Sequence, residues 1–135
     1  MEQSLLKGQV GEVITRIIGV LIGVTFDNED VRQNRQGIIN EMVEQWLLRH
    51  GCKLVLRRET NNPHDRNAIA VVGPGFRKLG YITRELAAEL APVLDSGEND
   101  YAVSVYEVIC RIRWILLWSR DKNIASKEYS YDSFQ

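Results

Sequence analysis

The sequence predicts one domain of the α+β class that is mainly β, a small antiparallel or Greek-key barrel with two inserted helices. Runs of Val and Ile with strand-like patterns outnumber the two helical patterns. Strands and helices also do not alternate in the β-α-β-α order of a parallel doubly wound sheet. Because a length of 135 residues is that of a single domain, we expect one fold and one function.

The chain divides into an N-terminal extension at 1–12, a folded domain at 13–118 and a polar C-terminal tail at 119–135. Its 44% hydrophobic and 26% charged residues are typical of a globular protein. The longest apolar stretch, 13–26, is shorter than the roughly 20 residues of a membrane span. Residues 1–8 lack the pattern of a secretory signal, so we expect a cytoplasmic protein.

The first predicted strand runs from Val13 to Val24 and is bent or broken at its glycines, Gly19 and Gly23. The polar run Asp-Asn-Glu-Asp at 27–30 then predicts a loop, because Asp and Asn side chains bond to their own backbone. The chain therefore begins with a bent strand, or two short strands, followed by a loop.

The first predicted helix is the clearer of the two. Apolar residues recur at helical spacing over 38–47 with polar residues opposite, and Gly51 is expected to end the helix. Trp46 belongs to this apolar set, so we predict that it is a core residue and not a stacking platform. The same is expected of Trp114 and Trp118, which share a strand with apolar neighbours.

The middle of the chain is predicted to be β. Strands are expected at 53–58 and 67–72, joined by a loop at 59–66 that is rich in turn-forming residues. A third strand is expected at 76–82, after the tight Gly-Pro-Gly turn at 73–75.

A second helix and a second β segment complete the domain. Thr83 is a suitable N-cap for a helix that begins at Arg84, and Pro92 is expected to kink or shorten that helix. Residues 101–118 alternate in part between apolar and polar side chains. This segment is long enough for two strands or for one long curled strand.

Basic residues are concentrated in one part of the chain. Residues 49–84 hold eight basic and two acidic side chains, a net charge of +6 within a protein of net charge −1. A local basic band of this kind suits a phosphate-facing side. The same pattern also arises on an ordinary solvated surface.

The loop at 59–66 is the densest candidate for chemistry, because charged, amide and imidazole groups crowd it. Asn61, Asn62 and Asp65 can also serve simply to close the turn. His64 beside Asp65 is a pair that acid–base catalysts use. The sequence, however, has no nucleophile motif and no glycine-rich phosphate loop. We therefore predict that the protein is not an enzyme.

No metal or cofactor is predicted. His50, His64, Cys52 and Cys110 have none of the regular spacings of metal sites, and the acids at 27–30 lack the order of a calcium-binding EF-hand. The two cysteines are far apart in the sequence and form no redox motif, so buried free thiols are expected.

Two motifs in this part of the chain closely resemble the HIRAN domain family. The first follows the pattern L-x-R-E-x-x-N-P-x-D-x-N-A-I-x-V and matches Leu56–Val71. The second follows G-Y-(I/L)-x-x-E-L-A and matches Gly80–Ala87. The resemblance spans about residues 13–108, because Gly23–Phe26 also resembles the end of the first strand of the family.

The resemblance implies a fold similar to an OB-type barrel, with a pocket that grips the 3′-hydroxyl end of single-stranded DNA. In the best understood members the domain lies beside helicase-like motors that remodel replication forks. This chain contains no motor, so it is similar to free-standing bacterial or phage versions. The implied function is recognition of DNA 3′ ends in DNA repair or replication-fork processing, with a helicase or nuclease as a possible partner.

The resemblance also assigns site residues. Aromatic rings would stack on the terminal bases, polar groups would bind the hydroxyl, and basic residues would meet phosphates. The pocket residues carried over are Thr25, Phe26, Asn62, His64, Asp65 and Tyr81, and the basic residues are Arg57, Arg66, Lys78 and Arg84. His64 replaces the aromatic residue of the usual N-P-Y-D motif, and Thr25 and Asp27 stand where a basic and a second aromatic residue are expected. The segment 27–48 is unusually long for the family.

Two other function classes stay open at this stage. The protein is a protein-interaction module if the helix bearing Trp46 or the strand at 114–118 exposes an apolar patch. It is an enzyme of unknown type if a deep cleft brings convergent groups around His64 and Asp65.

Overall fold

The protein is described by a computed structural model that covers residues 13–28, 33–97, 101–108, 112–120 and 127–128. In chain order the elements are β1 (Val13–Val20), α1 (Arg35–Glu44), β2 (Lys53–Arg58), β3 (Ile69–Val72), a 3-10 turn (Pro74–Phe76), β4 (Lys78–Tyr81), α2 (Arg84–Ser96), β5 (Tyr101–Val108), β6 (Ile112–Arg120) and β7 (Lys127–Glu128). Within these residues the seven strands form one sheet in the order β4-β3-β2-β5-β6-β1-β7. All neighbours are antiparallel except β1 and β7. The predicted mainly β class with two helices is confirmed.

The sheet curls so that the chain just past β1 meets β4. Just past β1, Ile22 forms an antiparallel bridge with Tyr81 of β4. The backbone N–H of each residue donates to the carbonyl of the other, at 2.9 and 2.8 Å. Gly80 permits this approach, because a Cβ atom there would lie 2.5 Å from the Ile22 carbonyl oxygen. The bridge turns an open sheet into a curled, barrel-like one, as the sequence predicted.

The core fills the inside of this curl. Trp114 of β6 is 1% exposed and lies opposite Gly19 of β1, where a Cβ atom would be 2.4 Å from the indole ring. Met42 of α1 and Leu90 of α2 are fully buried in the same cluster. The glycine in β1 therefore makes room for a large side chain in the core, and the prediction that Trp114 belongs to the core is confirmed.

Several predicted boundaries hold. β2 begins and ends where expected, and the segment at 101–118 forms two strands. β3 and β4 each start two residues later than predicted, because the chain turns at 66–67 and at 74–76 before it extends. Residues 1–12, most of 121–135, Cys110 and the side chain of Trp118 lie outside the described residues. Cys52 is a half-buried free thiol that contacts the Leu47 carbonyl.

The prediction that α1 extends toward Gly51 with Trp46 in the core is wrong. The helix ends at Glu44, and Trp46 adopts a left-handed backbone with φ of 61°. The Leu47 N–H returns to the Met42 carbonyl and the Trp46 N–H to the Val43 carbonyl, which is the Schellman pattern that ends helices. This turn takes Trp46 off the apolar face and leaves it 71% exposed.

Of the two effects predicted for Pro92, a kink or a shortening of α2, the shortening is wrong. The helix continues to Ser96, and Gly97 ends it in a left-handed conformation with φ of 66°. Leu86, Leu90 and Ala91 are buried on one face, and this packing holds the helix past the proline. Among the described residues, no helix combines the length and the apolar character that a bilayer crossing requires.

Closure of the sheet is tested by Gly80→Ala. The added methyl group must displace the Ile22 carbonyl or the Leu21 side chain, so we expect the free energy of unfolding to fall by about 1–3 kcal/mol. Urea unfolding followed by tryptophan fluorescence measures the change. Gly37→Ala is the control, because nothing lies within 4 Å of a Cβ there and the helix should gain up to about 1 kcal/mol. Equal stabilities for the two variants would contradict a tight closure.

Candidate functional site

A pocket of about 430 Å³ opens beside the Ile22–Tyr81 bridge. Four segments meet there: the loop after β1, the start of α1, the loop between β2 and β3, and the junction of β4 with α2. The lining residues are Ile22, Gly23, Phe26, Asp27, Arg35, Asn62, Pro63, His64, Asp65, Ala68, Tyr81, Ile82 and Arg84. Because the bridge joins the loop after β1 to the end of β4, the pocket is a product of the sheet closure.

The β2–β3 loop forms one wall through a hydrogen-bonded turn. Asn62 Oδ1 accepts from the backbone N–H groups of His64 and Asp65, at 2.9 and 3.1 Å. Asp65 Oδ1 accepts from the Asn67 N–H at 2.9 Å. The expectation that these side chains can close the turn is therefore met, and both residues also line the pocket.

Arg84 links this loop to the start of α2. Its Nη2 atom donates to the His64 carbonyl, and its Nε atom lies 3.7 Å from Asp65 Oδ2. The Arg84 side chain is 69% exposed, so its charge reaches solvent at the rim of the pocket. Asp65 thus has one oxygen committed to the turn and the other beside an exposed cation.

A polar cluster supports Tyr81 from within the fold. The Tyr81 hydroxyl donates to Glu59 Oε1 at 2.6 Å and accepts from Lys78 Nζ at 2.8 Å. Lys78 Nζ also donates to Glu59 Oε2 at 2.9 Å, and Asn62 Nδ2 donates to Glu59 Oε1 at 3.0 Å. The cluster of Glu59, Asn62, Lys78 and Tyr81 fixes the tyrosine ring at the pocket wall.

The protonation states of the cluster follow from these contacts. Burial raises the pKa of Glu59, but hydrogen bonds from Tyr81, Lys78 and Asn62 outweigh it and hold the pKa below 4.5. Burial lowers the pKa of Lys78, but its bonds to Tyr81 and Glu59 raise that pKa above 10.5. Burial and the bond to Glu59 raise the pKa of Tyr81 above 10.0. At neutral pH the cluster holds a carboxylate, an ammonium and a neutral phenol.

Arg35 is a pocket residue that sequence reasoning missed. It is 4% exposed, and its guanidinium donates to Asn28 Oδ1 at 2.9 Å and to the Gly23 carbonyl at 2.8 Å. Its Cζ atom lies 5.1 Å from the centroid of the Tyr81 ring. One sequence signal could have found it: an arginine at the first position of a helix opposes the helix dipole and needs a compensating partner.

The loop after β1 presents Phe26 to solvent, with 65% of the residue exposed. The backbone around it is fixed, because the Arg35 N–H donates to the Phe26 carbonyl at 3.1 Å and the Gln36 N–H to the Val24 carbonyl at 2.9 Å. Asn34, the N-cap of α1, also donates its amide to the Thr25 carbonyl at 3.0 Å. The exposed ring therefore stands on an ordered support.

The structure brings six of the ten residues carried over from the family resemblance into the pocket lining. These are Phe26, Asn62, His64, Asp65, Tyr81 and Arg84. The other four lie outside it. Thr25 is exposed in the same loop as Phe26, Arg66 is exposed on the β2–β3 loop, Arg57 is half exposed with Glu59 at 3.7 Å, and Lys78 has its ammonium group inside the polar cluster.

Within the ranges that the structure covers, no group of three or more His, Cys, Asp or Glu side chains is arranged to hold a metal ion. The pocket instead combines aromatic, amide, carboxylate and guanidinium groups, which bind organic and phosphate ligands through stacking and hydrogen bonds.

Comparison with known protein families supplies the deciding observation: residues 35–113 match the family model of the HIRAN domain, which is more than half of the chain. The protein belongs to the HIRAN domain family. The matched segment contains the β2–β3 loop, the polar cluster and Arg84, so the family signature coincides with most of the pocket. As a HIRAN domain, the chain is a DNA-binding domain whose family fold is not catalytic by itself.

Two curated proteins share this domain. The chain is 46% identical over 43 residues to the helicase-like transcription factor of Oryctolagus cuniculus, which covers 32% of this chain and 4% of that protein. It is 35% identical over 78 residues to the Fanconi-associated nuclease 1 homolog of Oryza sativa subsp. japonica, covering 56% of this chain and 8% of that protein. The chain therefore corresponds to a small part of each relative.

The HIRAN domain of human HLTF has the same fold as this chain. The two structures align with a TM-score of 0.60 over 84% of each chain, at 20% sequence identity. The aligned fraction exceeds the segment matched by the family model, so the fold likeness is broader than the sequence signature.

The polar cluster predicts a pH-dependent stability. Since the folded state holds the pKa of Glu59 below 4.5, the cluster stabilises the fold at neutral pH and loses that contribution as pH falls below 4.5. Glu59→Gln should lower the free energy of unfolding by about 1–3 kcal/mol at neutral pH, and the difference from the parent should shrink on acidification. Urea unfolding between pH 7 and about pH 3.5 measures it.

Glu44→Gln is the control for this experiment, because Glu44 is an exposed carboxylate at the end of α1. Its stability should match that of the parent at each pH. A Glu59→Gln deficit that stays constant on acidification would contradict the assigned carboxylate state.

Proposed function

We propose that the protein binds the 3′-hydroxyl end of a single DNA strand in the pocket beside the Ile22–Tyr81 bridge. The observation that carries the proposal is the convergence of exposed Phe26, the fixed Tyr81 ring and the Asp65 carboxylate in one cavity. Its volume of about 430 Å³ is in the roughly 300–1,000 Å³ range of small-molecule sites. A cavity of this size suits the terminal part of a strand and is too small for a duplex.

Aromatic stacking is the proposed source of affinity. Every base offers a flat face, and stacking on an aromatic ring contributes about 1–3 kcal/mol per base. Phe26 is exposed on an ordered loop, and Tyr81 is held by the polar cluster. Because the Phe26 backbone and the Tyr81 ring are held before the ligand arrives, binding costs less conformational entropy.

A carboxylate is the proposed source of end selectivity. Asp65 Oδ1 is committed to the Asn67 N–H, and Oδ2 can accept from a terminal hydroxyl. A phosphate at the same place would bring negative charge beside the carboxylate, which disfavours a 3′-phosphate or an internal phosphodiester. Asn62 and His64 complete the polar wall at this point.

Basic side chains are the proposed contacts to the phosphates of the strand. Arg84 stands at the rim, and Arg57 and Arg66 are accessible on the neighbouring strand and loop. Thr25 lies beside Phe26 and would contact the backbone of the strand. The proposed role of Lys78 is different, because its ammonium group is occupied in holding Tyr81.

We place this activity in DNA repair or replication-fork processing. Two relatives that contain the domain are a helicase-like transcription factor and a nuclease, by their names. A helicase or nuclease is therefore the proposed partner, to which this domain would deliver a strand end.

Protein binding is a second candidate function, favoured by the apolar patch of Val43, Trp46 and Leu47. All three residues are exposed, and Trp46 holds a left-handed backbone that glycine would adopt at lower cost. The proposed occupant of this patch is the same helicase or nuclease. The patch lies at the far end of α1 from Arg35, so it can act independently of the pocket.

Fluorescence anisotropy with a labelled single strand tests the end-binding proposal. The parent protein should bind a 3′-hydroxyl strand about tenfold or more tightly than the same strand with a 3′-phosphate, because of charge repulsion at Asp65. Asp65→Asn keeps an oxygen for the Asn67 N–H and removes the charge, so the preference should shrink toward equality. Equal binding of both strands by the parent would contradict the proposal.

Stacking is tested in the same assay by Phe26→Ala, with Trp46→Ala as the matched control. Both rings are largely exposed, but Phe26 lines the pocket and Trp46 does not. Phe26→Ala should weaken binding about tenfold, and Trp46→Ala should leave it unchanged. If Trp46→Ala weakened binding and Phe26→Ala did not, DNA binding would belong to the apolar patch and not to the pocket.

A further inference from the structure

A second carboxylate, Asp27, lines the pocket from a different loop than Asp65. Asp65 belongs to the β2–β3 loop, whereas Asp27 follows Phe26 directly in the loop after β1. The end-binding proposal uses Asp65 for the hydroxyl and gives Asp27 no role.

Asp27 is held in place before any ligand arrives. It forms an antiparallel bridge with Asn34, and Asn34 Nδ2 donates to Asp27 Oδ1 at 3.3 Å. The next residue is also fixed, because the Asn28 N–H donates to the Gln33 carbonyl at 2.8 Å. Among the described residues Oδ2 has no hydrogen-bond partner, so it is available to a ligand.

Asp27 is exposed, so solvent offsets its charge, and cations also line the pocket. Arg35 is buried at the start of α1, and Arg84 stands at the rim. A phosphate is still a poor neighbour for Asp27, since both are anions. Its natural partner is a group that donates hydrogen bonds.

The edges of the DNA bases differ in the donors that they offer. Guanine presents two adjacent N–H donors on its pairing edge, and cytosine and adenine each present one amino group. Thymine presents one N–H between two carbonyl oxygens, which a carboxylate repels. A base stacked on Phe26 would bring this edge toward the neighbouring residue of the same loop, Asp27.

We infer that Asp27 selects the identity of the base that stacks on Phe26, favouring guanine, then cytosine or adenine, over thymine. The inference rests on the proposed binding of a strand end in this pocket and adds a base preference to it. It assigns to Asp27 a part in specificity and none in holding the hydroxyl.

Four single strands that differ only in the 3′-terminal nucleotide test the inference by fluorescence anisotropy. The parent protein should bind the strand ending in guanine about tenfold more tightly than the strand ending in thymine. Asp27→Asn keeps an oxygen for the Asn34 amide and replaces the second acceptor by a donor, so the four affinities should converge. Glu44→Gln, which removes an exposed carboxylate outside the pocket, should keep the parent ranking.

The outcomes separate this inference from the function on which it rests. Equal affinities for the four strands with the 3′-hydroxyl preference intact would overturn the base preference and leave end binding standing. A ranking that survives Asp27→Asn would also overturn the assignment to Asp27. Failure of all four strands to bind would overturn end binding and the base preference together.

Discussion

The bridge between Ile22 and Tyr81 is the contact on which the rest of the structure depends. Two backbone hydrogen bonds join the end of β1 to β4 and close the curl of the sheet. The closure requires Gly80, because no side chain fits between the two backbones. It brings the loop after β1 toward the β2–β3 loop, whose pocket-lining residues nearest in sequence, Asp27 and Asn62, are 35 positions apart. Without it the loop after β1 would not be held against β4, and the pocket would lose that wall.

Buried charge around Tyr81 explains why this wall is rigid. Arg35 and Lys78 lie 5.1 and 4.9 Å from the centroid of its ring, and Glu59 binds its hydroxyl. Burying such groups costs desolvation energy, which their mutual hydrogen bonds offset. The arrangement gives a defined ring position more than it gives net stability. The buried polar groups therefore lie where they fix the geometry of the pocket wall.

The β2–β3 loop shows how one motif serves both folding and binding. Asn62 closes the turn and donates to Glu59, so it positions two parts of the site at once. Asp65 uses one oxygen for the turn and keeps the other beside Arg84. The polar residues of this loop thus both close the turn and line the pocket. Because different atoms serve the two roles, the roles need not compete.

The sequence by itself determined the mainly β class and the bounds of β2, because strand periodicity is a local property. Its resemblance to the HIRAN motifs, and not periodicity or turn chemistry, pointed to the six residues that line the pocket. Only the tertiary structure decided the role of Arg35, the pairing of Glu59 with Lys78 and the exposure of Trp46. The first two depend on partners that are distant in sequence. The third depends on a left-handed turn that breaks helical periodicity, so the apolar pattern continued after the helix had ended.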